Sequence, residues 1–247
     1  MRNLFFVFCA VLMFSAGAVS QAQAGSFWDG LFSSGPKQSK AVTALSQNDV
    51  QEALREALVV SSQSVVTKLG RTGGFNSDKN IRIPLPAALQ PVDKILKSVG
   101  MGALTADLEG RLNKAAELAT PKTQQILLDT IYKMTLSDAK AILTGGDNAA
   151  TAYLRKSAGT QLKDAMRPIV TEALEDAGAV QAYDLAMTRY QTAMPMLPDV
   201  KANLTDYATD KALDGIFYYM AQEEAALRKE PIKATSKLVE KVFSAVK

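Results

Sequence analysis

From Asp49 to the C-terminus, apolar residues recur every three or four positions, the period of an amphipathic helix. Val50, Ala53, Leu54, Ala57, Leu58, Val65 and Leu69 keep this spacing, which predicts a helix capped by Ser46 and stopped by Gly70. Gly70 to Asn80 (GRTGGFNSDKN) reads as a surface loop. It lacks the spacing and the terminal Lys-Ser/Thr of a phosphate-binding loop, and it follows a helix where such a loop follows a strand. In Ile81 to Pro86 (IRIPLP), each proline pushes the residue before it out of helical space, so this segment is extended. A helix then runs to about Val99 and ends at Gly100, and Leu104, Leu108, Leu112 and Ala115 mark the next. Thr120 is the expected cap of another, with Pro121 at its first position.

The pattern continues with a short helix from Asp138 to Leu143, stopped by Gly145 and Gly146. Asp147 is the expected cap of a helix through Leu154. A separate helix covers about Gln161 to Asp176, with Pro168 kinking it or lying near its start. Val180 to Tyr190 is helical and Met194 to Pro198 (MPMLP) is irregular. A long helix from about Thr205 to Lys229 and a last one from Pro231 to Val246 follow. No stretch sustains period-two alternation and no unit of fixed length repeats. The fold predicted is all-α: one compact multi-helix domain over 46–247, of about nine or ten helices, with one extended proline-containing segment.

The N-terminus departs from this pattern. Arg2 is followed by an apolar run from Leu4 to Ala18, and Gln21 to Ala24 offer a small-x-small cleavage site. This is the layout of a secretory signal peptide over 1–24. The run is shorter than the roughly 20 residues that span a bilayer, so no membrane span is expected after cleavage. Residues 25–45 read as a flexible leader, with Phe27, Trp28 and Phe32 as its apolar points.

Composition narrows the chemistry. Removing 24 of 247 residues leaves 223, of a chain that is 47% hydrophobic, enough for a substantial core. Arg2 leaves with the signal, so the formal charge falls from +3 to +2; no strong field draws the chain to nucleic acid. The one cysteine, Cys9, lies in the signal, so the mature chain has neither disulfide nor thiol chemistry. The chain has no histidine. Without Cys and His, a structural zinc site and a Ser-His-Asp or Cys-His nucleophile have no ligands or base. No metal site and no cofactor are expected. Carboxylate, lysine, tyrosine or arginine chemistry remains, or a carboxylate-bound calcium or magnesium ion.

The stretches IRIPLP, LTGGDNAATAYLR, MRPIV and LTDYATDKALDGIFYYMAQEE, in that order, resemble a bacterial family of exported proteins known as domain of unknown function 4197. The resemblance runs from about Asp49 to Phe243. It implies an exported helical protein of a Gram-negative bacterium, hence a periplasmic location. It implies no activity and assigns no functional residue.

The long helix near the C-terminus carries the candidate site. With Asp206 at zero and about 100° per residue, Leu213, Ile216, Phe217, Met220 and Leu227 form one apolar arc. Glu224 falls inside that arc beside Asp206, and Asp210 and Asp214 lie on its margin. A carboxylate facing a core must be paired, metal-bound or protonated. Two readings follow. Either Asp206, Asp210, Asp214, Glu223 and Glu224 line a ligand pocket with Tyr207, or they form buried salt bridges to Arg82, Arg155 or Arg167. The corner LTGGDN (Leu143 to Asn148) reads as a tight turn, because Asp147 at the cap would repel an anion. The function expected is a non-enzymatic binding or interaction protein of the cell envelope, with an apolar small molecule or an envelope protein as partner. The alternative is a carboxylate/arginine enzyme acting on an envelope glycan or a phosphate-bearing substrate.

Overall fold

A computed structural model describes residues 46–193, 203–234 and 236–245. The signal peptide, the leader, the MPMLP segment and Val246 lie outside the described residues. In chain order the α-helices are α1 (Gln47–Leu69), α2 (Gln90–Ser98), α3 (Gly102–Ala119), α4 (Gln124–Lys133), α5 (Leu136–Leu143), α6 (Ala149–Asp176), α7 (Ala179–Ala193), α8 (Leu204–Lys229) and α9 (Lys237–Ala245). Short 3₁₀ turns occur at Ala87–Leu89, Thr120–Thr123 and Pro231–Lys233. Among the described residues there is no strand, and the fold is all-α.

Local chemistry sets several boundaries. The Asp49 N–H donates to Ser46 Oγ (3.1 Å) and the Ser46 N–H donates to the Asp49 carboxylate (2.8 Å). This reciprocal box satisfies two donors that the first turn of α1 leaves open. Thr135 and Asp138 repeat it at α5, so Asp138 lies inside the first turn and the helix begins earlier than its sequence suggests. Ile81, Ile83 and Leu85 are buried while Arg82 and Pro84 are exposed, the alternation of an extended segment. Its partner is a side chain. The Ile83 N–H donates to Asn113 Oδ1 and Asn113 Nδ2 donates to the Ile83 carbonyl, both at 2.8 Å.

Four expectations are corrected. The helices expected at Asp147–Leu154 and Gln161–Asp176 are one continuous α6, with Pro168 inside it. Leu154, Ala158, Leu162, Met166 and Val170 form an unbroken buried stripe at intervals of four. Burying each large member is worth about 2 kcal/mol, so the stripe together outweighs the roughly 3 kcal/mol cost of an internal proline. Thr120 does not start the next helix; it closes the C-terminus of α3, its N–H donating to the Ala116 carbonyl. It has helical dihedrals, its hydroxyl donates to the Ala116 carbonyl, and a 3₁₀ turn leads into α4. The last expected helix is broken into the Pro231–Lys233 turn and α9, because Ala234 is extended (ψ 154°). The 70–80 loop, expected on the surface, is tied into the core: Phe75 is fully buried. A Cβ on Gly215 of α8 would lie 2.7 Å from the Phe75 ring, so the close approach there requires glycine.

α6 is the central helix. It packs most extensively on α8 and also on α3, α4, α5 and α7. α1 lies against α4, α5, α8 and α9, which brings both ends of the described chain together.

Candidate functional site

α8 is capped by Asn203, whose Oδ1 accepts the Asp206 N–H at 2.9 Å. Leu213, Ile216, Phe217 and Met220 face the core, as their spacing predicts. The three aspartates do not. They form a row between α8 and α6: Asp206 with Arg167, Asp210 with Lys163 (2.6 Å) and Asp214 with Arg155 (3.0 Å). Partner numbers fall on α6 as they rise on α8, so the helices are antiparallel. Asp210 and Asp214 side chains are about half exposed, at 51% and 52%. The expected buried bridges are therefore surface pairs, which solvent and salt screen. The hydrogen bonds from Arg167 outweigh burial and hold the Asp206 carboxyl below its ordinary range. The Arg155 guanidinium also lies 4.6 Å from the centre of the Phe217 ring.

Glu224 alone of this set enters the core, with a side chain 6% exposed. The N–H groups of Ala150 and Thr151 and the Thr151 hydroxyl donate to its carboxylate, each at 2.9 Å. Arg228, one turn on, donates from Nε (3.2 Å) and Nη2 (2.9 Å). Arg228 Nη2 also donates to the Ile142 carbonyl at 2.8 Å, at the end of α5. Glu224 thus caps α6 from another helix, where the positive end of the helix dipole favours an anion. This corrects the role expected of Asp147. The residue at the cap is Asn148, whose side chain makes no capping bond, and Glu224 occupies the anion site that the corner was not expected to have.

A second carboxylate follows the same logic. Glu117 of α3, 6% exposed, accepts the N–H groups of Gly73 (3.1 Å), Phe75 (3.0 Å) and Asn76 (3.1 Å). The glycine-rich loop is an anion cradle filled by the protein itself.

Arg82 pairs with Glu109 of α3 at 2.9 Å and not with the α8 carboxylates. The Tyr207 hydroxyl donates to the Pro84 carbonyl at 2.9 Å and fastens the extended segment to α8. Burial, helped by the Glu109 charge, pushes that hydroxyl above its ordinary range. Further along α8, the Tyr219 hydroxyl donates to Asp78, and Lys68 Nζ lies 3.5 Å from the Tyr219 ring centre.

Glu223 is exposed and lines a cleft of about 540 Å³. Ala57, Val60, Ser61 and Ser64 of α1 form one wall; Ala226 and Leu227 of α8, Val239 of α9 and the turn residue Lys233 complete it. The sequence pointed to Glu223 but not to the wall on α1, more than 150 positions away. Lys163 and Arg228 were also missed, although Arg228 stands at the four-residue spacing from Glu224 that signals a helical ion pair. Among the described residues, no three carboxylates converge to hold a metal ion, and no helix is long and apolar enough to cross a membrane.

A family model described as a protein of unknown function (DUF4197) matches residues 44–244. No curated protein and no solved structure matches the chain.

Proposed function

The chain belongs to the DUF4197 family of proteins of unknown function, and on that premise we propose that it is an exported, periplasmic binding or interaction protein of the cell envelope that performs no catalysis. Export is inferred from the three-part N-terminal pattern over residues 1–24. The observation that carries the binding reading is the cleft between α1, α8 and α9, whose walls combine alanine, valine and leucine with Ser61, Ser64, Gln222, Glu223, Glu230 and Lys233. A concave surface that joins apolar walls to convergent polar groups is suited to a ligand or partner.

The alternative enzyme needs a carboxylate free to exchange a proton with substrate. Glu224 is enclosed by five donors and each α8 aspartate is matched to a cation, which weighs against it. Native mass spectrometry of the protein recovered from its periplasm tests the binding reading. Extra mass, displaced when Ser64→Trp fills the cleft, is the expected result. A bare mass would remove the tightly bound ligand, and turnover lost in Glu223→Gln with an unchanged melting temperature would restore the enzyme.

A further inference from the structure

We infer that the cleft is a self-association surface and that its occupant is Ile232 of a second copy of this chain; this rests on the binding reading and names its partner. Ile232 is the most exposed large apolar residue among the described residues, at 78%. It stands in the Pro231–Lys233 turn, between Glu230 and Lys233, which both line the cleft. One small surface therefore carries an apolar projection and, directly beside it, a recess whose walls include Ala57, Val60, Leu227 and Val239. An isologous contact uses the same patch on both subunits, so a patch holding both halves of a fit is complementary to itself.

The charges agree with this. The cleft lining includes Glu223, which is exposed, and Lys233, whose side chain is 76% exposed. Lys233 already pairs with Glu230 of its own chain, and a two-fold arrangement brings Glu223 of the other copy to it as a second carboxylate. A patch of a single sign would repel its own copy. The recess walls from α1 are small residues, Ala57, Val60 and Ser61, which leave room for a branched side chain.

The test is sedimentation of the purified protein from about 1 µM to about 1 mM, the span from tight to weak association. The expected result is a mass that rises toward two chains with concentration. Ile232→Asp should stay at one chain throughout, with an unchanged melting temperature, because its side chain already lies in water. Ser64→Trp, at an exposed position on the cleft wall, should likewise stay at one chain. A wild-type protein that remains single at every concentration would overturn the inference, as would an Ile232→Asp variant that associates like wild type. Either result, obtained together with ligand mass in native spectra, would leave the binding reading standing and remove only the second copy.

Discussion

Two buried glutamates show what a single residue does here. Glu117 and Glu224 are each 6% exposed, and each is surrounded by backbone N–H groups of a distant segment. Their charge is stabilised by fixed dipoles rather than by water, and they in turn satisfy donors that would otherwise be buried without a partner. Glu224→Gln should therefore lower stability by about 2 kcal/mol or more, because it leaves Arg228 without its anion and turns an amide NH₂ toward two N–H donors. Urea unfolding at neutral pH measures this; an unchanged midpoint would mean that Glu224 does not act as the cap of α6.

At the scale of elements, α6 and α8 decide the frame. Arg167, Lys163, Gly159 and Arg155 stand at four-residue steps along α6, and Gly159 is the gap in that row. A Cβ there would meet nothing within 4 Å. Gly159→Ala should raise stability by about 0.5–1 kcal/mol, since helical glycine loses more chain entropy than alanine. An unchanged or lower thermal midpoint would show that the turn around Gly159 needs glycine for a reason other than space. The continuity of α6 was not legible beforehand. Pro168 and Gly159 both favour a break, and only the neighbours that cover Leu154 to Val170 supply the energy that keeps one helix.

For the whole molecule, acid should be the sensitive direction. In Asp93, burial pushes the carboxyl up, but hydrogen bonds from Lys97 and Thr105 and the Lys97 charge outweigh it. Asp78 behaves alike, with Tyr219, Asn80 and Lys68 outweighing burial, and the Thr135 bonds hold Asp138 down. All three lie below the ordinary 3.8 when folded. The unfolded chain then takes up protons first as pH falls. The stabilisation is present above that value and is lost as pH drops through the folded ones. Urea midpoints should thus hold down to about pH 4 and fall below it, and Asp93→Asn should flatten that fall. An equally steep fall in Asp93→Asn would assign the acid sensitivity elsewhere.

Whatever depends on local chemistry can be read from the chain alone. The helical period follows from which positions are apolar. The start of α1 follows from a Ser46 side chain that reaches its own first turn, and the extended IRIPLP segment follows from proline sterics. These need only neighbours within a few residues. The rest depends on contacts between segments far apart in the chain. Periodicity tells which face of α8 is apolar, but not that α6 lies opposite its aspartates, nor that the donors around Glu224 come from residues 150 and 151. The glycine-rich loop looked like surface because its anchor, Glu117, is some forty residues downstream. The cleft belongs to no single segment: it exists only because α1 returns to the end of α8, a consequence of how the whole core closes.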